Sequence, residues 1–216
     1  MSIRILIADE LELMREGIKS FLDNVPEMEV IGWAKDGRIA VQLAHELKPD
    51  IIIMDIEMPG LNGIDATRQI VQELPNIKVI VLSAHLENRY VREMFKAGAL
   101  GYVSKYGGCQ ELITAIKTVI LEQIYLSPKI TGVVVEGYMH DSPDDATPYS
   151  LLTVKEREVL QLIAEGKVTK KIALELNIST KAVEWRRGKI MQKLNLHNIA
   201  ELIKYAIREG VIGIYA

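Results

Sequence analysis

The stretch Asp50-Ile51-Ile52-Ile53-Met54-Asp55 constrains this chain more than any other. Four apolar residues in a row, three of them β-branched, predict a strand buried on both faces, as in a parallel sheet. The run stops at a carboxylate, Asp55. Pro59-Gly60 then forces a turn, and Asn62-Gly63 opens a helical pattern. Asp55 is therefore expected at the carboxyl end of a central strand, the edge where open α/β sheets bind ligands. A single Asp after a strand is ordinarily a loop cap, so its meaning depends on what ends the other strands.

Those ends are polar too. Ile3–Ala8 reads as a first buried strand and runs into Asp9-Glu10. A helix follows, with Leu13, Gly17, Ile18, Phe21 and Leu22 at helical spacing. A short strand over 30–33 precedes a helix near 38–47. After the central strand come a helix near 63–73 and a strand over 79–82 that ends at Ser83. A helix over 87–97, a short strand over 101–103 ending at Ser104-Lys105, and a helix near 109–122 complete the pattern. Five β-then-α units predict a doubly wound, five-stranded parallel sheet with right-handed crossovers. Such a sheet brings Asp9, Glu10, Asp55, Ser83 and Lys105 to one edge. Three crowded carboxylates repel one another, which a divalent hard cation relieves. Mg²⁺ suits a site of few carboxylates, waters and a phosphoryl group. Lys105 adds a fixed positive charge, and Ser83 a hydroxyl, for phosphoryl oxygens.

The net charge of −3 hides an asymmetry. Residues 1–150 hold 14 basic and 22 acidic side chains, whereas 151–216 hold 12 and 7. Two domains are expected, the second with an anionic partner. The apolar content of 49% supports a packed core, and the single Cys109 excludes an intramolecular disulfide. The amino-terminal apolar run is too short for a signal peptide, and no apolar run reaches membrane-spanning length. A soluble, cytoplasmic protein with no membrane partner is expected. Ser127 is expected to cap a short helix begun by Pro128, and the acidic, proline-bearing stretch 141–148 reads as linker. His45 and His140 stand without partners at ligand spacing and read as surface residues.

The last part reads as four helices. Thr153 with Glu156 three residues on is a capping box for a helix with Val159, Leu160, Ile163 and Ala164 inward, ended by Gly166. Thr169 is expected to cap a second helix over 170–176. After a tight turn at Asn177-Ile178, Ser179 or Thr180 caps a third, running to about Leu194. A fourth spans about 198–208. The second and third form a helix-turn-helix. The third carries Lys181, Arg186, Arg187, Lys189 and Lys193 against the single acid Glu184. A basic helix opened by hydroxyl residues suits double-stranded DNA: its first N–H groups and its cations meet phosphates, and its first turns reach base edges. Trp185 should point away from the core, as an interface residue or buried against the amino-terminal domain.

The texts Ile7-Ala8-Asp9-Glu10, Met54-Asp55-Ile56-Glu57-Met58-Pro59-Gly60, Leu82-Ser83-Ala84-His85 and Lys96-Ala97-Gly98-Ala99-Leu100-Gly101-Tyr102-Val103-Ser104-Lys105 together resemble the receiver domain of two-component response regulators, over residues 1–125. Residues 150–216, through Leu152-Thr153, Arg157-Glu158-Val159-Leu160, Lys171-Ile172-Ala173 and Ile190-Met191-Gln192-Lys193-Leu194, resemble LuxR-type DNA-binding domains, with 126–149 as linker. End to end the chain is similar to the NarL/FixJ class.

That resemblance implies a phosphorylation-controlled transcription regulator and not an enzyme. Asp55 would take a phosphoryl group from a sensor histidine kinase, with Mg²⁺ placed by Asp9, Glu10, Asp55 and the Glu57 carbonyl. Lys105 would pair with phosphoryl oxygens, Ser83 would bond the aspartyl phosphate, and Tyr102 would change rotamer. Lys181, Glu184, Trp185, Gly188 and Lys189 would form the outer face toward DNA, and Thr169 and Lys170 would contact its backbone. The fourth helix, with Leu202 and Tyr205, would form a homodimer. Glu10 where Asp is usual, Leu11 where His is usual, and Ala182 and Arg186 where Thr and His are usual depart from the pattern. Glu10 and Leu11 motivate the alternative of a constitutive DNA-binding dimer with a receiver no longer phosphorylated.

Overall fold

The computed structural model describes residues 2–140 and 148–213, with the side chains of 137–140, 148 and 149 outside that description. The stretch 141–147 read as linker, and the side chain of His140, therefore lie outside the described residues. The chain divides into two compact units, Met1–Asp141 and Ser142–Ala216.

In the first unit the strands are β1 (Ile3–Ala8), β2 (Met28–Ala34), β3 (Ile51–Met54), β4 (Lys78–Ser83), β5 (Gly101–Ser104) and β6 (Tyr125–Leu126). The helices between and after them are α1 (Glu12–Leu22), α2 (Gly37–Leu47), α3 (Gly63–Glu73), α4 (Asn88–Ala97), α5 (Cys109–Val119) and α6 (Pro128–His140). All strand pairs are parallel, in the order β2-β1-β3-β4-β5-β6. The sheet has six strands, not the five expected. Two residues carry no periodicity, so β6 is invisible before its partner exists. It pairs Gly101 with Tyr125 and Tyr102 with Leu126, and the Ser127 N–H donates to the Tyr102 carbonyl at 3.0 Å.

The expected linker 126–149 is corrected as well. Leu126 belongs to β6, and α6 packs on α4 and β5, with Ile130 fully buried. Ser127 stands at the start of α6, and its carbonyl accepts from Ile130 and Thr131; its buried hydroxyl oxygen has no hydrogen-bond partner among the described residues.

Chain order reverses direction between β1 and β3, so the switch point of the sheet lies there. Ile51, Ile52, Ile53 and Met54 are all buried, as a central strand flanked by helices on both faces demands. Asn62 caps α3 by accepting from the Asp65 N–H at 2.9 Å. Gly63 is compulsory: a Cβ there would lie 1.8 Å from the Asp55 carbonyl oxygen. That close approach seats the first turn of α3 against the end of β3. Leu13, expected on the inner stripe of α1, is 82% exposed. It lies five residues before the buried Ile18, about 140° round the helix at some 100° per residue.

The second unit holds α7 (Pro148–Leu151), α8 (Val154–Ala164), α9 (Thr169–Glu175), α10 (Thr180–Leu194) and α11 (Ile199–Arg208). The single turn α7 adds a fifth helix to the four expected. The capping box of α8 is present, with Thr153 accepting from the Glu156 N–H and Glu156 from the Thr153 N–H. Thr169 does not cap α9. The Gly166 turn (φ +78°) delivers an extended Val168 to the cap position, and Thr169 becomes the first helical residue. Val159, Leu160, Leu162, Ile172, Val183, Ile190 and Leu202 form the core.

Candidate functional site

Asp9 and Asp55 follow the last paired residues of the two strands at the switch point, since Ala8 faces Met54. The backbone holds both: the Asp9 N–H donates to Ala34 and the Asp55 N–H to Ala8. Each carboxylate uses one oxygen to accept a local N–H, from Leu11 and from Ile56 respectively, both at 2.8 Å. The other oxygen of each faces Lys105, whose Nζ is 2.7 Å from both. Lys105 leaves the end of β5, where its N–H donates to the Ser83 carbonyl at 2.8 Å. Three strand tips thus supply two acids and one cation at one edge.

Burial leaves Asp55 only 5% exposed and pushes its carboxyl up to about 6; Lys105 opposes that rise and Asp9 adds to it. Burial pulls the Lys105 ammonium down, but Asp55 and Asp9 more than offset this and hold it above the usual lysine range. Two acids against one buried cation leave a negative charge uncompensated, and this is the setting in which a carboxylate holds an extra cation or an electrophile.

Glu10 departs from its expected place. Its side chain is exposed, and among the described residues no three His, Cys, Asp or Glu side chains gather as a metal cluster. Glu10 follows the end of β1 by two residues, and the side chain that turns into the site there is that of Asp9. Arg15 clamps this bend by donating to the carbonyls of Asp9, at 2.6 Å, and Glu10.

Beside the acids, Ser83 is fully buried at the tip of β4, and its Oγ accepts from the His85 N–H at 3.1 Å. Tyr102 is fully buried, with its hydroxyl donating to the His85 carbonyl at 2.7 Å. Burial drives the Tyr102 phenol far above its ordinary range. His85 has a role that its place in the sequence does not announce. Its Nε2 stands 2.9 Å from the Glu57 carboxylate, and its ring lies 4.4 Å from that of Tyr90 on α4. The bond to Glu57 raises the His85 pKa, and the same bond lowers that of Glu57. Only folding reveals this tie between the β3–α3 and β4–α4 loops. His45, read as a surface residue, is exposed and pairs with Glu73 at 2.7 Å.

In the second unit, α9 and α10 meet through a turn at Asn177 (φ +51°) closed by the Ile178 N–H on the Ala173 carbonyl. Ser179 caps α10, accepting from the Ala182 N–H at 3.1 Å. Val183 and Ile190 face the core. Ser179, Thr180, Lys181, Glu184, Trp185, Gly188 and Lys189 are exposed; Arg187 and Thr169 are half-buried, and Lys170 is exposed. Trp185 is 63% exposed, with the Lys189 ammonium 5.9 Å from its ring centre. The expected outer face is therefore assembled on one side of α10. Lys193 is diverted: its ammonium lies 2.7 Å from Glu156 and locks α10 to the capping box of α8. Leu202 and Tyr205, expected at a dimer surface, instead pack in the unit's own core, Leu202 at 0% exposure. Both faces of α11 carry aliphatic residues, so spacing alone did not distinguish inner from outer.

An acid pair with a lysine at a switch point, followed by a helix-turn-helix with a basic face, defines a regulator in which one unit receives a signal and the other holds DNA. Comparison with known proteins agrees. Residues 5–117 match the response regulator receiver domain, and 150–206 match bacterial regulatory proteins of the luxR family. The chain is 40% identical to transcriptional regulatory protein LiaR of Bacillus subtilis (strain 168) over 211 residues, covering 98% of this chain and 100% of LiaR. The crystal structure of a LuxR-family two-component response regulator from Aurantimonas sp. SI85-9A1 is similar with a TM-score of 0.62 and 31% identity, over 65% of this chain and 100% of that one. RcsB from Salmonella enterica serovar Typhimurium, solved on a promoter with phosphomimetic BeF3-, shares the fold at a TM-score of 0.62 and 24% identity, over 95% of this chain and 98% of that one. The chain belongs to the NarL/FixJ class of response regulators, which join a receiver domain to a LuxR-type DNA-binding domain, and it is homologous to transcriptional regulators. Among the described residues no helix is long and apolar enough to cross a membrane.

Proposed function

We propose that Asp55 accepts a phosphoryl group from the phosphohistidine of a sensor kinase, and that this cytoplasmic event controls how the second unit binds double-stranded DNA as a homodimer. The observation that carries the reading is the bridge from Lys105 to both Asp9 and Asp55. A carboxylate oxygen of Asp55 attacks phosphorus, the N–P bond to the donor breaks as the O–P bond forms, and the electron pair leaves with the imidazole. Lys105, already 2.7 Å from the nucleophile, follows the transferred oxygens and offsets their charge.

Mg²⁺ fits the donor set, because two carboxylates and one lysine leave negative charge over and hard oxygen ligands suit that ion. Asp9, Asp55 and the Glu57 carbonyl would hold it, with Glu10 reaching it through its longer side chain; when bound it supplies charge neutralisation at the phosphoryl oxygens. Ser83 and Tyr102, joined through His85, give the aspartyl phosphate a path to the start of α4. Phosphorylation then shifts a population between two arrangements of that surface. This reading is favoured over a receiver that has lost phosphorylation because the acceptor, its neighbouring acid and the lysine stand in bonding distance.

The test is a small phosphodonor with Mg²⁺. One phosphoryl group added at Asp55, removed by hydroxylamine and absent in Asp55→Ala, is expected, together with a change in DNA binding. Normal DNA binding with no such addition would sink the reading. Genome-wide binding of the native chain beside Asp55→Ala would then show which sites answer to the phosphate.

A further inference from the structure

Gly188 is the ninth residue of the fifteen in α10, and it is exposed. A glycine in a helix interior is less stable than alanine, because it exposes backbone and carries more freedom in the unfolded chain. Among the described residues nothing asks for that sacrifice. Gly188 does not take a positive φ, and a Cβ built on it meets nothing within 4 Å. Gly63 is the contrast, since there a Cβ would strike the Asp55 carbonyl. No contact among the described residues accounts for a glycine here, and a surface outside the chain would.

Its surroundings show what kind of surface approaches. At about 100° per residue, Lys181, Trp185, Gly188 and Gln192 lie on the line of α10 opposite the buried Val183 and Ile190. Glu184 and Lys189 flank that line. Every other residue on it has a long side chain, so Gly188 is a gap in the middle of the outward face. Trp185 borders the gap one turn back, a large apolar ring left exposed among charges. The cations match phosphates on either side. Glu184 repels phosphate but can accept a hydrogen bond from a cytosine amino group, and an apolar ring matches the methyl of thymine.

We propose that Gly188 is a seat for base edges in the DNA major groove. The missing side chain lets the helix backbone come down to the groove floor, and this brings the Trp185 ring against a thymine methyl. The inference rests on the reading that α10 holds DNA and names how it selects sequence.

The test uses the full chain and duplexes that the wild type enriches from a random pool. Gly188→Ala is expected to unfold about 4 °C or more higher, yet to bind the enriched duplex about tenfold more weakly, with less than about a twofold change on unenriched duplex. Replacing thymines singly by uracil should weaken wild-type binding at one position and leave Trp185→Ala indifferent there. Gly188→Ala binding as tightly as wild type, while Lys189→Ala loses affinity, overturns the seat but leaves DNA binding by α10 standing. Undiminished binding by both variants overturns that reading and the seat together. Equal losses on enriched and random duplex, a lowered unfolding temperature, or uracil without effect at every position would each overturn the seat.

Discussion

The Lys105 ammonium stands 2.7 Å from the Asp55 carboxylate, an ion pair between the tips of β5 and β3. The same nitrogen is 2.7 Å from Asp9, so one cation serves two buried acids. Lys105→Met is expected to slow phosphoryl transfer to Asp55 by about 10²-fold, the usual scale for removing one charge-stabilising group. The time course of the hydroxylamine-sensitive mass addition measures it. An unchanged rate would mean that the lysine only holds the loop.

Asp55 also sets a pH dependence. Its carboxyl is pushed up from 3.8 to about 6 on folding, with burial the main cause. A group raised in this way favours the fold fully below its unfolded value, and that contribution is lost as pH rises through the folded one. In EDTA, Asp55→Asn should therefore melt above wild type at pH 8 and lose that advantage by about pH 4. Thermal unfolding at the two pH values decides; an advantage that grew on acidification would contradict the sign.

Lys193 is expected to act on stability. Burial pushes Glu156 up, but its bonds to Lys193 and Thr153 more than offset this and leave its pKa below 4.5. The contribution of Glu156 is thus present above pH 4.5 and fades as pH falls through the lower folded value. Glu156→Gln should cost the second unit stability at pH 7 and approach wild type in acid. Thr153→Ala should cost about 1 kcal/mol. Lys193→Ala should lower the melting temperature while the salt slope of DNA binding stays as in wild type; a slope reduced by about one would return Lys193 to the interface.

Leu202→Ala should cost about 2–5 kcal/mol by opening a cavity in the second unit. The loss is expected to be the same at low and high protein concentration, because Leu202 faces its own core. Unfolding followed over a wide dilution range tests this. A loss that vanished on dilution would put Leu202 between protomers.

Much of the site was legible before folding. Asp9, Asp55, Ser83 and Lys105 each follow an apolar run, and parallel strands must present such ends at one edge. The capping box of α8 and the Gly166 turn were legible because their chemistry is confined to four or five neighbouring residues. The exposed direction of the Glu10 side chain was not legible, because adjacency to Asp9 says nothing of direction. The salt bridge of Lys193 to Glu156 and the tie of His85 to Glu57 join elements far apart in the chain, and no local pattern announces them. The two-residue β6 was missed because an edge strand that short has no period, and the helix expected from Pro128 was assigned to the linker because its packing on α4 and β5 is a tertiary contact.

The sequence by itself determined the first five strands and the helices between them, the acceptor aspartate and the basic face of α10, because apolar periodicity and capping act over a few residues. Tertiary structure alone decided that two acids rather than three share Lys105, that Lys193 and Leu202 turn inward, and that Gly188 stands open. Those outcomes depend on which side chains the sheet and the helix packing leave room for, and that room exists only once the distant segments have met.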